Sequence, residues 1–264
     1  MDLQLENKLA LVTGSTAGIG FAIARTLAAE GARVIVNGRS DKRVTEALAA
    51  IGKAFPTAKL EPLPLDLATA EAAVDASKRF PDLDILINNL GVYAPKSFEE
   101  ITDGDWKSII ETNFMSGVRL SRHYLPRMKA KNEGRIIFIS SESAVNTPVE
   151  MIHYGVTKTM QVALARGLAE STLGTGVTVN SVLAGPTRSE GVEAFIADMA
   201  KTKGITPEQV EREFFQTVRP SSLLQRFATT DEVAALVAYL ASALSSATNG
   251  AALRAEGGLV RSIL

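Results

Sequence analysis

An α/β fold, a doubly wound parallel sheet of seven strands flanked by helices, is predicted by three observations. Short apolar runs alternate with longer amphipathic runs along most of the 264 residues, the pattern that βα units produce. The first apolar run passes through a glycine-rich turn into a helix, Leu9 to Glu30. No linker, internal repeat or low-complexity tract divides the chain, and 264 residues lie within the range of one α/β domain, so residues 1–264 read as a single unit.

Leu9 to Val12 is the first strand, and it opens into Thr13-Gly14-Ser15-Thr16-Ala17-Gly18-Ile19-Gly20 before a helix from Phe21 to Glu30. Gly14 permits a tight turn, and Gly18 and Gly20 let backbone approach a pyrophosphate at the helix N-terminus, where free N–H groups and the helix dipole favour anions. Three glycines fit a structural turn equally well; the strand before and the helix after favour a cofactor loop. Val34 to Val36 is the second strand, ending in Asn37-Gly38-Arg39-Ser40. An acid here would accept from an adenosine ribose hydroxyl, but none is present, and Arg39 offers a guanidinium to a 2′-phosphate with Ser40 beside it. Ser40 also suits the N-cap of a helix from Asp41 to Gly52.

Leu60 to Leu65, interrupted by Pro62 and Pro64, is a third strand running to Asp66-Leu67, where Asp66 either accepts from an adenine amine or caps the helix near Thr69. Asp84 to Ile87 is the fourth strand, followed by Asn88-Asn89-Leu90-Gly91, whose amides serve sheet-end hydrogen bonding or cofactor contact. The stretch from Asp103 to Lys131 reads as one long helix in which Asn113, a poor helix former, marks a kink or a polar site. Ile136 to Ile139 is a buried fifth strand ending in Ser140-Ser141, then comes a helix carrying Tyr154 and Lys158 to about Leu173. Val177 to Val182 is the sixth strand and leads to Ala184-Gly185-Pro186-Thr187-Arg188-Ser189. Residues 188–226 break the alternation and read as a substrate lid; a helix from Asp231 to Ala241 and a seventh strand from Ala251 to Arg254 close the chain.

Composition narrows the function. With 28 basic against 29 acidic residues there is no field to attract nucleic acid or an anionic membrane. No apolar run approaches the ~18 residues of a membrane helix, and the first eight residues lack a signal peptide's basic start and apolar centre, so a cytoplasmic protein is expected. The absence of cysteine excludes disulfides, thiol catalysis and thiolate metal sites, and the two histidines, His123 and His153, argue against zinc.

Tyr154 and Lys158 stand four residues apart on one helix face. A phenol, with a pKa near ~10, exchanges protons at neutral pH when a nearby positive charge stabilises the phenolate. Taken with Thr13-Gly14-x-x-x-Gly18-x-Gly20, Asn88-Asn89-x-Gly91 and Ser141 thirteen residues before the tyrosine, this pair makes the chain resemble the short-chain dehydrogenase/reductase family across nearly its whole length. The resemblance implies a Rossmann-type fold and a tetrad of Asn113, Ser141, Tyr154 and Lys158. Tyr154 would protonate a substrate carbonyl oxygen, Ser141 would hydrogen-bond that oxygen, Lys158 would lower the phenol's pKa and bind the nicotinamide ribose, and Asn113 would hold a water in a proton relay. It also implies cofactor contacts from Gly14, Ser15, Thr16, Gly18, Ile19, Gly20, Arg39, Ser40, Asp66, Leu67, Asn89, Gly91, Gly185, Pro186, Thr187 and Ser189, besides Tyr154 and Lys158.

Two positions depart from the family pattern. Leu90 replaces a small alanine and adds bulk beside the cofactor, and Ala184 replaces a proline and should loosen a turn. The expected activity is NADPH-dependent reduction of a carbonyl, or the reverse, on a small molecule, with apolar residues such as Val92, Tyr93, Val145 and Leu183 favouring a hydrophobic ketone. A 3-oxoacyl-[acyl-carrier-protein] reductase, docking through Arg127, Lys129 and Lys131, and a non-catalytic dinucleotide-binding redox sensor are the alternatives. Relatives of this kind commonly assemble as homotetramers, so the same is expected here.

Overall fold

The computed structural model describes residues 2–263. Six strands alternate with helices in chain order: β1 (Leu9–Val12), α1 (Gly18–Ala29), β2 (Arg33–Gly38), α2 (Asp41–Ala54), β3 (Lys59–Pro64), α3 (Ala70–Arg79), β4 (Ile85–Asn88), α4 (Asp103–Ile110), α5 (Ser116–Lys131), β5 (Gly134–Ser141), α6 (Ile152–Glu170) and β6 (Val177–Ala184). A short strand β7 (Thr187–Arg188) then leads into α7 (Glu190–Lys203) and α8 (Pro207–Glu213), and β8 (Ala228–Thr229), α9 (Thr230–Ala241) and β9 (Ala252–Ala255) complete the chain.

Seven strands form one parallel sheet in the order β3-β2-β1-β4-β5-β6-β9. Because β2 and β3 lie on one side of β1 while β4 onward lie on the other, the connections diverge there and open a crevice at the strands' C-terminal ends. Successive strand residues face opposite sides, so each strand feeds two cores. Val12, Val36, Ile87 and Ile139 pack with α1 and α9, whereas Leu11, Ile35, Leu86 and Phe138 pack with α3, α5 and α6. At about 1.5–3 kcal/mol for each large apolar side chain removed from water, these layers hold the sheet between its helices.

The prolines of the third strand do not break it. β3 lies at the sheet edge, where the N–H that Pro62 and Pro64 lack is least needed. The single helix expected from Asp103 to Lys131 is instead two α-helices joined by a π-helical turn, Glu111–Met115, centred on Asn113. Ala184 loosens nothing, since it is the last residue of β6, buried and in register with Ser141 and Ala255. Among the described residues no helix is long and apolar enough to cross a membrane.

Asn37, at the end of β2, fixes the cleft's floor. Its Oδ1 accepts from Gly14 N at 3.0 Å, and its Nδ2 donates to Leu63 O at 2.9 Å and Leu65 O at 3.0 Å, tying three strand ends together. Asn37→Ala should therefore lower the unfolding free energy by about 2–4 kcal/mol, since buried groups of all three strand ends lose their partner. Urea unfolding of the two proteins measures it, and a difference below about 1 kcal/mol would assign the three bonds no net weight.

Candidate active site

The glycine turn after β1 is shaped by close contacts. Gly14 and Gly18 both have positive φ, 60° and 57°, and a Cβ at Gly20 would collide with Gly14 O and Asn89 Nδ2. Asn89 holds the turn from across the crevice, its Nδ2 donating to Thr13 O and Gly14 O and its N–H to Thr13 Oγ1. Leu90 lies over Gly14, its Cδ1 3.4 Å from where a Cβ would be. The helices α2, α3, α4, α7, α8 and α9 each begin with a Ser or Thr side-chain cap, whereas α1, like α5 and α6, has neither a side-chain cap nor an acid in its first turn. Its N-terminus thus keeps its orphan N–H groups and dipole for an external anion, which fits a dinucleotide pyrophosphate.

Ser15, expected among the cofactor contacts, already has its donors engaged within the fold. Its N–H donates to Asn37 O at 2.8 Å and its hydroxyl to Val12 O at 2.7 Å, so both donors are committed to the fold and the side chain is fully buried. Leu67 is likewise core, leaving only backbone to face a ligand. Asp66 caps the following turn through Ala68 N, 3.2 Å, and Ser40 is the N-cap of α2. Gly38 does not leave an open space: a Cβ there would lie 2.5 Å from the Thr16 methyl, which fills it. Arg39 is exposed and has no carboxylate partner among the described residues. Arg43, one turn into α2, reaches Glu190 of α7 at 3.2 Å.

On the other side of the crevice, Gly185 packs so closely on Glu256 that a Cβ would lie 2.6 Å from its Cα, and Thr187 Oγ1 donates to Gly185 O at 2.8 Å. Pro186 O accepts from Ala228 N at 2.9 Å. Ser189 caps α7 and stands opposite Gly18, its Cβ 3.5 Å from a Cβ built there. Thr16, Ile19, Gly91, Pro186 and Ser189 are all partly or fully accessible along this edge.

The four residues of the tetrad converge at the ends of β4 and β5. Lys158 is buried, and its Nζ donates to Ile139 O at 2.8 Å and Gln161 Oε1 at 3.3 Å; a Cβ on Gly91 would lie 3.4 Å from it. The same Nζ stands 5.6 Å from the centroid of the Tyr154 ring. Asn113 is locked at the π turn: Oδ1 accepts from Val92 N at 2.8 Å, and Nδ2 donates to Val92 O at 2.9 Å and Thr157 Oγ1 at 3.1 Å. The irregular turn frees Asn113's backbone carbonyl from the helix, and Gln161 Nε2 donates to it. Tyr93 meets Tyr154 edge to face, with centroids 6.3 Å apart.

Burial governs both titrating groups. It lowers the Lys158 ammonium to about 8, and it raises the Tyr154 phenol above its ordinary value, with the Glu142 charge adding to the rise and the Ser141 hydroxyl opposing it. The expectation that Lys158 lowers this phenol is not met in this arrangement, because the ammonium faces the ring and spends its hydrogen bonds on Ile139 and Gln161. Two polar residues that motif reading passed over complete the site. Gln161 lies one turn beyond Lys158, where a buried amide amid apolar neighbours was the available signal. Glu142, directly after Ser141, accepts from its hydroxyl and is paired with Arg219 at 3.3 Å.

A glycine turn at the sheet's switch point, facing a buried lysine and a tyrosine, defines a dinucleotide-dependent oxidoreductase. The family model described as short chain dehydrogenase matches residues 8–200, and the chain belongs to that family, whose members act on CH–OH and C=O groups. It is 48% identical over 263 residues, covering 100% of both chains, to a protein named uncharacterized oxidoreductase YvaG from Bacillus subtilis. It is 35% identical to the D-beta-hydroxybutyrate dehydrogenase of Cupriavidus necator, covering 97% of this chain and 99% of that one. The structure of L-sorbose reductase from Gluconobacter frateurii, complexed with NADPH and L-sorbose, superposes with a TM-score of 0.91 at 28% identity, covering 100% of each chain.

Gln161→Leu keeps the side chain's bulk and removes both of its bonds. It should cut the turnover of carbonyl reduction about tenfold while changing the cofactor Kd less than about threefold, because Lys158 and Asn113 each lose one partner and the glycine turn is untouched. Steady-state kinetics with fluorescence titration of cofactor tests this, and unchanged turnover would make Gln161 a packing residue only.

Proposed function

We propose that this protein is a cytoplasmic NADPH-dependent reductase of a small-molecule carbonyl, working also in reverse, with Tyr154 as general acid and base. The observation that carries the proposal is the convergence of Asn113, Ser141, Tyr154 and Lys158 beside an uncapped helix N-terminus. A bound nicotinamide supplies or accepts the hydride at the carbonyl carbon. Tyr154 gives its proton to the carbonyl oxygen, and a phenol raised by burial is present as that donor throughout the neutral range. Ser141 steadies the same oxygen, and Lys158, fixed by Ile139 O and Gln161, stands where a ribose hydroxyl can reach it. Residues 188–226 serve as a lid with a small apolar core, formed by Ile196, Ala200, Val210 and Phe215 together with Phe227 just beyond the segment. A homotetramer remains the proposed assembly, in keeping with exposed apolar side chains at Leu173 and Leu223.

The acyl-carrier-protein reading is weakened by the basic residues it needs. Lys131 is paired with Asp84 and Arg127 lies 3.9 Å from Asp82, while Lys129 donates to Ser171 O and keeps its charge, so one of the three basic residues faces outward without an acidic partner among the described residues. L-Sorbose, acetoacetate, acetoacetyl-coenzyme A and acetophenone, each incubated with NADPH, span the candidate substrates. Oxidation of NADPH with none of them, despite tight binding, would favour a redox sensor.

Tyr154→Phe should lower reduction roughly 10²–10⁴-fold, the usual contribution of a positioned proton donor, and leave cofactor affinity nearly unchanged. In the wild type the rate of reduction should hold from about pH 6 until Lys158 loses its proton at about 8 and then fall, since reduction needs the neutral phenol together with the ammonium, while oxidation needs the phenolate. Retention of most of the rate in the phenylalanine variant would remove Tyr154 from the mechanism.

Preference for NADPH over NADH is proposed from Arg39, whose free guanidinium stands beyond the end of β2. A charge-assisted hydrogen bond is worth roughly 1.5–3 kcal/mol, so Arg39→Ala should lower kcat/KM for NADPH about ten- to a hundredfold and leave NADH nearly unaffected. With Thr16 filling the space beside Gly38, the arginine variant is a cleaner probe than an acid at position 38. A wild type preferring NADH would overturn the assignment.

A further inference from the structure

Glu142 is a charged residue in the wrong place for a bystander. Directly after Ser141, it is 4% exposed, and burying a carboxylate is costly unless it is paired and hydrogen-bonded. Its Oε2 accepts from the Ser141 hydroxyl, from Ser143 N at 2.7 Å and from Ser143 Oγ at 3.0 Å. Its Oε1 takes one cation, Arg219, whose Nε lies 3.3 Å away. Arg219 is itself only 9% exposed and makes a second bond to Glu150 Oε1 at 3.1 Å, just before α6. Arg219 comes from neither β5 nor α6: it ends the π-helical turn Phe214–Val218, inside the stretch 188–226.

A serine hydroxyl has one proton. With that proton on Glu142, and with Ser143 N donating to Ser141 Oγ at 3.1 Å, Ser141 can only accept on its remaining side. To donate to a substrate oxygen it must leave Glu142, and the cost is small as long as Ser143 and Arg219 still satisfy the carboxylate. Without Arg219, Glu142 would be an uncompensated buried anion, gripping the serine proton and facing the phenol. We propose that Glu142 and Arg219 are a positioning pair for the two hydroxyls of the site, through which the placement of segment 188–226 decides whether Ser141's proton is available to substrate. The proposal rests on the reading of Ser141 and Tyr154 given above.

The charged and titrating groups around Tyr154 are few, which makes the pair readable. Lys158 lies on its own helix, Tyr93 on the loop after β4, Glu142 on the turn after β5, and Arg219 behind Glu142, with Glu150 on the far side of Arg219. Tyr93 also touches the lid side, since a Cβ on Gly191 would lie 3.7 Å from its hydroxyl.

The test is an absorbance titration of tyrosinate on the full chain, in which Tyr154's share is obtained by subtracting Tyr154→Phe, alongside steady-state kinetics with NADPH and whichever of the four carbonyls above the wild type reduces. Arg219→Met should move the Tyr154 titration up by about one pH unit and lower kcat about tenfold or more, with KM for NADPH within about twofold. Arg219→Lys should recover most of both. Glu142→Gln should move the titration down, and Glu142→Gln with Arg219→Met should return it from the Arg219→Met position, because the anion is gone. A purely structural pair would show lower stability with no titration shift and no recovery in the double variant, and that result overturns the proposal. If Arg219→Met fails to fold, Glu142→Gln alone decides, and an unmoved titration overturns it. Should the wild type reduce none of the carbonyls, the functional reading fails while the titration still decides the pair.

Discussion

A buried ammonium is the constraint on which the site depends. Lys158 sits within the fold on α6 and cannot be solvated by bulk water, so the protein must supply its acceptors. One is Ile139 O, near the end of β5, and another is Gln161 on the next turn of α6. Gln161 in turn needs an acceptor for its own amide, and finds it in the carbonyl of Asn113. That carbonyl belongs to the π-helical turn at Glu111–Met115. Asn113's side chain then secures Val92 and Thr157, the first beyond the end of β4 and the second beside Tyr154. A helical irregularity, a buried glutamine and the placement of a loop are thus consequences of one charge.

Among the described residues four ion pairs join the segment 188–226 to the rest of the molecule, Arg43–Glu190, Arg219–Glu142, Arg219–Glu150 and Arg226–Glu232, and the first two differ in character. Arg43 and Glu190 join across the crevice with both side chains mostly exposed, and a pair of that kind contributes about 0–1 kcal/mol and yields readily to salt. Arg219 and Glu142 join with both side chains nearly buried, and breaking such a pair by removing one partner costs about 3–5 kcal/mol. Salt should therefore loosen the contact at Glu190 more readily than the one beside Ser141.

The strands were legible in the sequence because each is a short apolar run closed by polar or glycine residues, and the seven-stranded parallel sheet follows those runs closely. The tetrad was expected from the resemblance to the short-chain dehydrogenase/reductase family and not from spacing by itself, and one strand end and one helix hold Ser141, Tyr154 and Lys158 relative to one another. What motif spacing could not supply were partners remote in sequence. Arg219 lies 77 residues from Glu142, and no local periodicity links a lid arginine to the residue after the serine. The π turn was half visible, as an asparagine out of place in a helix, but its consequence for the carbonyl of Asn113 required Gln161 to be seen beside it. Ser15 shows the same limit: its loop position suits a ligand, while both its donors are already engaged by Asn37 and Val12.

Gly38 and Thr16 carry the same point into cofactor choice. A glycine at the end of β2 reads in sequence as space for an additional phosphate, yet the Thr16 methyl of the glycine turn fills the position its side chain would take. The geometry of this edge therefore involves two segments at once, with the Thr16 methyl close on position 38 and Arg39 adding positive charge. An acid introduced at Gly38 would have to displace Thr16, and with it the turn that Asn37 holds through Gly14, before it could reach a ribose hydroxyl. Preference for one nicotinamide cofactor is on this argument a property of how β1 and β2 pack their ends, and not of the second strand's last residues alone.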